Sequence, residues 1–268
     1  MPELPEVETV RRELDAWLPG RTIVAARRED APKGPKYRDL ERATGQRIEA
    51  LTRRGKFILL SLSGGDELVI HLGMTGQIHR ARPVAHVRAC LELDRGVLFF
   101  RDVRRFGRFL VVPAGAYGVL PTLAHLGPEP LDPQDFTLDR FAARLRGRKT
   151  SIKAAIMSQR PVAGVGNIYT DESLWQAQIH PRAEAGRIGR RRLDRLRGAI
   201  VEILGRSVAA GGTTLRDYRT VAGDTGAFVH QLQAYGREGA PCMRCDRVIR
   251  RVVVAQRGTW FCPGCQRK

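Results

Sequence analysis

Residues 56–73 read KFILLSLSGGDELVIHLG, two short apolar runs separated by a cluster of turn residues. Runs of this length rich in branched residues, broken by Gly, Ser and Asp, predict β-strands rather than helix. The same texture extends on both sides, in TIVAA (22–26), QRIEALT (46–52), HVRACLELD (86–94), GVLFF (96–100) and RFLVV (108–112). Seven candidate strands by residue 112 predict a β-sandwich or barrel. Ahead of them Val7, Val10, Leu14, Trp17 and Leu18 recur at helical spacing until Pro19-Gly20, so one amphipathic helix is expected to pack on the strands.

Between Pro113 and Pro133 there are five prolines in 21 residues, a density that helix and strand interiors both resist. This stretch is expected to be a linker. Beyond it the pattern turns helical: FAARL, SIKAAIMSQ, IYTDESLWQAQ, then a long segment with Leu193, Leu196, Ile200, Ile203, Leu204 and Val208 on one stripe, closed by Gly211-Gly212. Residues 213–228 are polar and glycine-bearing without a period, and a loop of that length is usually functional or disordered. The expected organisation is α+β and multidomain: a β-sandwich with an N-terminal helix over 1–112, a linker over 113–135, a helical domain over 136–228 and a cysteine module over 229–268.

The chain carries 46 Lys and Arg against 28 Asp and Glu, a formal charge of +18. An excess of this size suits a polyanion, nucleic acid before an anionic membrane surface, and says nothing about fold. No stretch approaches the ~20 apolar residues of a spanning helix, and the acidic start MPELPEVE differs from a basic signal peptide, so a cytoplasmic location is expected. Cys90 sits in an apolar run and reads as a small buried residue.

The other four cysteines fall in the last 27 residues as Cys242-Met-Arg-Cys245 and Cys262-Pro-Gly-Cys265, with 16 residues between the pairs. That spacing predicts a zinc ribbon on a two-stranded hairpin. Four thiolates complete a tetrahedral shell with no open position, so the ion is structural. A segment this short buries little apolar surface, whereas structural zinc supplies ~10–16 kcal/mol of apparent binding free energy. A redox dithiol pair or a disulfide clip is the alternative, and a cytoplasmic setting disfavours both. Arg244, Arg247, Arg250, Arg251, Arg257, Arg267 and Lys268 also lie here. Of these Arg257, beside Gly258 at the expected turn, is the best placed to meet phosphate.

Pro2 directly follows the initiator methionine. Once Met1 is removed it presents a secondary amine, of which about a tenth is free base at pH 7 for a terminal pKa of ~7.7–8.0, against well under a thousandth of a lysine at ~10.4. Such an amine attacking a sugar C1′ displaces a base and forms an iminium, and loss of the C2′ proton then permits phosphate elimination. Glu3 is the adjacent acid or base. Pro-Glu alone is also a common helix start.

Six segments together resemble one family. MPELPEVE at 1–8, RRGKF at 53–57, HLGMTG at 71–76, DVRRFG at 102–107, GVGNIYTDESLW at 164–175 and the paired Cys knuckles are similar to those of the formamidopyrimidine-DNA glycosylases. The resemblance implies a helix, two-turn, helix DNA-binding domain and a bifunctional glycosylase and AP lyase acting on oxidised purines such as 8-oxoguanine and formamidopyrimidines. It implies Pro2 as Schiff-base nucleophile, Glu3 as its proton-transfer partner, β,δ-elimination at the abasic site, and Lys56 as a cation on the phosphate beside the lesion; Arg257, from its place at the hairpin turn, is grouped with these catalytic residues.

The resemblance further implies that Met74, Arg104 and Phe106 form a wedge filling the stack vacated by the extruded nucleotide, a role that a thioether, a guanidinium and a ring suit. Met and Phe in strand-rich segments are otherwise core residues, and here Gly73, Gly76 and Gly107 favour loop tips. Asn167 is expected to cap a helix start that holds phosphate. His71, Lys153 and Tyr235 fall in matching segments as lesser DNA contacts, and His71 reads equally as a strand histidine with its hydrogen bonds satisfied. Thr75 has no assigned role.

The expected partner is damaged double-stranded DNA, with one zinc ion, no small-molecule cofactor and no membrane, and the protein is expected to be a nucleoid-associated monomer. The sister endonuclease VIII activity on oxidised pyrimidines is the near alternative, disfavoured by the start MPELPEV, with base choice placed in the 213–228 loop. A noncatalytic zinc-ribbon binder of nucleic acid is the alternative from another class, and it leaves Pro2 unexplained.

Overall fold

The computed structural model describes residues 1–31, 34–215 and 218–268. Two compact units are present, one formed by Met1–Ala124 with Ala210–Val229, the other by His125–Ala209 with His230–Lys268.

Unit 1 opens with α1 (Leu4–Asp15), shorter than the apolar stripe predicted because Trp17 and Leu18 already lie in the turn that follows. Among the described residues eight strands follow: β1 (Ile23–Arg28), β2 (Ile48–Arg54), β3 (Phe57–Leu62), β4 (Asp66–His71), β5 (Gly76–His79), β6 (Val87–Leu93), β7 (Val97–Asp102) and β8 (Arg108–Pro113). They form two four-stranded antiparallel sheets, in the orders β1-β6-β7-β5 and β2-β3-β4-β8. The sandwich predicted from the strand texture is therefore present, with one strand more than was legible. β5 is four residues, GQIH, too short and too polar to register as a run.

Between the sheets lies one apolar core in which Ile58, Leu60, Leu68, Ile70, Leu91, Leu98, Phe100, Phe109 and Val111 meet Val7, Val10 and Leu14 of α1. The polar face of α1 is tied down as well. The Glu8 carboxylate accepts from Arg53 Nε at 3.1 Å, and Arg53 Nη1 donates to the Gly55 carbonyl at 3.0 Å. An arginine of the RRGKF segment thus links the helix to the two-residue turn Gly55-Lys56.

Unit 2 holds α3 (Leu138–Leu145), α4 (Ile152–Met157), α5 (Asn167–Gln176) and α6 (Arg190–Ala209), while the single turn α2 (Pro121–Ala124) ends the first stretch of unit 1. Ser151 caps α4 by accepting from the Ala154 N–H at 3.3 Å. The link from α4 to α5 is two turns organised by Gln159, whose Oε1 accepts from the Gly164 N–H at 2.8 Å and whose amide donates to the Val165 carbonyl. The α6 stripe is buried at Leu193, Leu196, Ile200, Ile203 and Leu204 as expected. Val208 is only half-buried; Ser207 is the buried residue at that end, its hydroxyl paired with Tyr169 at 2.6 Å.

The hairpin of β9 (Arg250–Val254) and β10 (Arg257–Phe261) completes unit 2. Trp175 of α5 packs with Ala234, Cys242, Ile249 and Cys262, which makes the cysteine module part of this unit's core. The compact units also divide the proline-rich stretch. Residues 113–124 belong to unit 1, whereas Gly127 and Ala163 bond to Gln159 and Pro128 backbone carbonyls within unit 2. The segment 210–229 belongs with the sandwich and not with the helices that precede it, because polar groups of its backbone are taken up by Glu6 and Glu13 of α1.

Candidate functional site

The start of α1 is polar and buried. Glu3 is the N-cap, 2 % exposed, and its N–H donates to Glu6 Oε2 at 2.7 Å. Glu6, also 2 % exposed, uses its other oxygen to accept from the Thr213 N–H at 2.6 Å. Gly212, at φ +86°, passes so close that a Cβ there would stand 2.9 Å from Glu6 Oε1. Tyr218 adds a hydroxyl bond to the Glu6 carbonyl at 3.3 Å, and Glu13 accepts from the Val221 N–H. The 213–228 segment is thus moored beside Pro2 and Glu3, with Arg216 and Asp217 outside the described residues. Pro2 is buried beneath an exposed Met1. Glu6 went unassigned in the sequence, although Glu3-x-x-Glu6 is a capping-box spacing.

Strand register brings the next residues to one end of the sandwich. Phe57 pairs with His71 and His71 with Arg108, so Lys56, the turn after His71 and the loop before Arg108 all leave the same edge of one sheet. In the other sheet Gly76 pairs with Asp102, which closes the same two loops from the far side. Residues 72–75, between β4 and β5, and 103–107, between β7 and β8, each cross from one sheet to the other. They carry Met74, half-buried, and Arg104 and Phe106, both exposed.

Phe106 is 47 % exposed, with the Arg104 guanidinium 4.8 Å and the Lys36 ammonium 5.7 Å from its ring centre. Met74 and Phe106 are therefore loop residues and not core, as the flanking glycines predicted. A Cβ on Gly73 would lie 2.5 Å from the Gly107 nitrogen, so the loops touch backbone to backbone.

Lys56 is 6 % exposed in its tight turn. The His71 ring packs at a tilt on Phe57, with centroids 4.6 Å apart, and its Nδ1 accepts from the Gly73 N–H at 3.2 Å. Burial, with Lys56 and Arg108 as neighbouring cations, pushes its pKa down to about 3. The imidazole is neutral, with Nε2–H as its remaining donor.

Unit 2 gathers a second set. Gly166 is the N-cap of α5 and Asn167 its first helical residue, one place further in than expected. Asn167 Nδ2 donates to the Gly258 carbonyl at 3.1 Å. Lys153, expected on DNA, is fully buried: its ammonium is 2.7 Å from Asp171 Oδ1 and 3.2 Å from the same Gly258 carbonyl. Asp171 Oδ2 accepts from the Trp260 N–H at 3.0 Å. Burial pushes the Asp171 carboxyl up, against the pull of Lys153. The cluster grips the hairpin just past Arg257, which opens β10 directly after the turn Ala255-Gln256 and is exposed.

Tyr235 packs on Trp260 at 4.4 Å, and Glu172 holds its segment by accepting from the N–H groups of Gln233, Ala234 and Tyr235 at 2.8, 2.8 and 2.7 Å. Asp171 and Glu172 both went unassigned in the sequence, since acidic residues on a helix ordinarily face solvent.

The four sulfurs of Cys242, Cys245, Cys262 and Cys265 lie within 4.8 Å of one another, at 3.4 Å for Cys245–Cys262 and 3.9 Å for Cys242–Cys265. Disulfides need about 2.05 Å, while a tetrahedron of about 2.3 Å Zn–S bonds has edges near 3.8 Å, so the donor set fits one structural zinc ion. The Trp175 indole N–H donates to Cys242 Sγ at 3.3 Å, as a donor beside a thiolate should. Among the described residues no helix is long and apolar enough to cross a membrane.

Comparison with known proteins covers nearly the whole chain. Residues 1–109 match the formamidopyrimidine-DNA glycosylase N-terminal domain, 126–219 the H2TH domain of the same enzymes, and 239–267 the zinc finger found in FPG and IleRS. The chain is 46 % identical over 280 residues to the formamidopyrimidine-DNA glycosylase of Deinococcus radiodurans, covering 99 % of this chain and 97 % of that one. Its fold is similar to the crystal structure of the MutM (Fpg) protein from Thermus thermophilus, with a TM-score of 0.93, 45 % identity and coverage of 99 % and 98 %. It is also similar to a Lactococcus lactis FPG mutant in complex with Fapy-dG containing DNA, with a TM-score of 0.89, 36 % identity and full coverage of both chains.

Proposed function

Because the chain belongs to the formamidopyrimidine-DNA glycosylase family, and so is a DNA glycosylase of base excision repair, we propose that it removes oxidised purines from double-stranded DNA and then cleaves the abasic site it has made. The carrying observation is the single edge of the sandwich that bears Lys56, Met74, Arg104 and Phe106 on adjoining turns. A cation for a phosphate and a thioether and ring for a vacated stack are what extrusion of one nucleotide requires. Relatives bound to DNA with Fapy-dG or an abasic site support the substrate class.

In the reaction proposed, Pro2 is a free secondary amine after loss of Met1. Its nitrogen lone pair attacks C1′, the N-glycosidic bond breaks, and the base leaves with the bonding pair and takes up a proton. Opening of the sugar ring yields an iminium between Pro2 and C1′. Loss of the C2′ proton expels the 3′-phosphate, and a second elimination expels the 5′-phosphate. Glu3, buried beside Pro2 with its N–H on Glu6, is the group that moves these protons.

Lys56, His71, Asn167, Tyr235 and Arg257 are the phosphate and backbone contacts, and the 213–228 segment reads the extruded base. Lys153 acts one step removed, holding the hairpin turn through Gly258. Zinc at the four cysteines would fix the same hairpin, with no position open to substrate. Such an enzyme works in the cytoplasm, on the nucleoid, as a monomer.

Borohydride trapping tests the reading. A duplex with 8-oxoguanine should give a covalent adduct that disappears when one glycine is inserted between Met1 and Pro2. Persistence of the adduct in that variant would overturn Pro2 as the nucleophile, and absence of any adduct would overturn the Schiff base itself.

A further inference from the structure

Asp102 and Thr75 have no part in the chemistry proposed above, yet they meet where the two loops of the wedge cross between the sheets. Asp102 is 0 % exposed and Thr75 9 %. The Thr75 hydroxyl donates to Asp102 Oδ1 at 2.6 Å and accepts from the Arg104 N–H at 3.0 Å. Asp102 Oδ2 accepts from the Gly107 N–H at 2.7 Å and from the Tyr37 hydroxyl at 3.3 Å, and its carbonyl accepts from Arg88 Nε at 2.8 Å. One carboxylate and one hydroxyl therefore bind the loop of Met74 to both ends of the loop that carries Arg104 and Phe106.

The loop they brace is not a relaxed one. Arg105, between Arg104 and Phe106, sits at φ +56°, in the left-handed region, and the Lys36 ammonium holds its carbonyl at 2.7 Å. A turn with this geometry and an exposed ring at its tip needs fixed anchors if the ring is to enter a base stack without first being ordered.

We infer that Thr75 and Asp102 are positioning residues that lock Met74, Arg104 and Phe106 into one preformed wedge, so that its members insert together. The inference rests on the wedge reading of Met74, Arg104 and Phe106. In this arrangement Asp102 is a fixed acceptor, and burial and that carboxylate push the Tyr37 pKa up and keep its hydroxyl a donor. Thr75 is the adaptor: it alone of the two touches both loops through a side-chain atom that donates one way and accepts the other. Valine in its place fills the same volume and does neither.

The test uses the full chain with Thr75→Val, Thr75→Ala and Thr75→Ser. Single-turnover excision from an 8-oxoguanine duplex should fall about tenfold or more in the first two and recover with serine, in keeping with loss of hydrogen bonds to a buried charge. Affinity for undamaged duplex, which reports phosphate contacts, should change less than about twofold. A defect in general folding would lower both together and would not be rescued by serine.

Combining Thr75→Val with Phe106→Ala separates the inference from its premise. If Thr75 acts through the wedge, its effect should shrink once Phe106 is gone, leaving only the part carried by Met74 and Arg104, so that the two losses are less than additive. Full additivity, or wild-type excision in Thr75→Val while Phe106→Ala is slow, overturns the positioning role. Unchanged excision in Met74→Ala, Arg104→Ala and Phe106→Ala overturns the wedge, and the positioning role with it.

Discussion

Lys56 and His71 stand one row apart at the edge of the same sheet, yet they would meet a phosphate on different terms. Lys56 brings a charge. His71, held neutral by burial and by Lys56 and Arg108, offers one N–H. Replacing Lys56 with alanine should therefore lower the slope of log affinity against log salt by about one, whereas His71→Ala should weaken binding and leave the slope unchanged. Titration of DNA binding over a salt series checks both. The same shift makes His71 a stability determinant: an unfolded histidine titrates near 6.5, so between pH 6.5 and about 3 the unfolded chain holds the extra proton and stability falls with falling pH. His71→Gln should flatten that fall, measured as the urea midpoint at pH 7 and pH 5. The RRGKF and HLGMTG segments reveal both residues in the sequence. The charge state of His71 is not legible there, because Phe57 and Arg108 reach it only through strand pairing.

At the scale of elements, the β9–β10 hairpin and α5 show how a buried polar frame supports an exposed cation. The hairpin turns on Ala255 at φ +49° and Gln256 at φ +60°, a two-residue turn that favours glycine or asparagine. Gln256→Gly should raise stability by up to about 1 kcal/mol, checked by thermal melting, since it relieves a left-handed residue without touching Arg257. Asp171→Ala should cost about 3–5 kcal/mol, because it strands the Lys153 ammonium at 0 % exposure and frees the Trp260 N–H; urea unfolding reads the loss. The IYTDESLW run is visible as a helix in sequence, and the Cys spacing is visible as a hairpin. That Thr170, Asp171, Glu172 and Ser173 are all buried is not, because the groups that justify it for the two acids come from residues 233–235 and 260. β5 is illegible in sequence for a related reason: four residues with a glycine become a strand only against β7.

Over the whole molecule, the zinc site should couple folding to DNA binding. A strong chelator should unfold the 242–265 module, shift the fluorescence of Trp175 and Trp260 towards that of solvent-exposed indole, and abolish excision, with recovery on adding zinc. Unchanged fluorescence after metal removal would mean that packing on α5 alone holds the module. Runs of neighbouring residues carried much of this protein in plain order: the strand texture of 46–112, the helical stripes, the paired Cys knuckles and the motifs that bear Pro2, Lys56, Met74 and Phe106. Such features are properties of periodicity, spacing and side-chain chemistry, which are local. The folded chain alone decided that 210–229 joins the sandwich through Glu6, that Lys153 lies inside and grips Gly258, and that Asp102 and Thr75 unite two loops. Those outcomes depend on which buried donor finds which acceptor across tens to hundreds of residues, and a buried polar group takes the partner that packing brings to it.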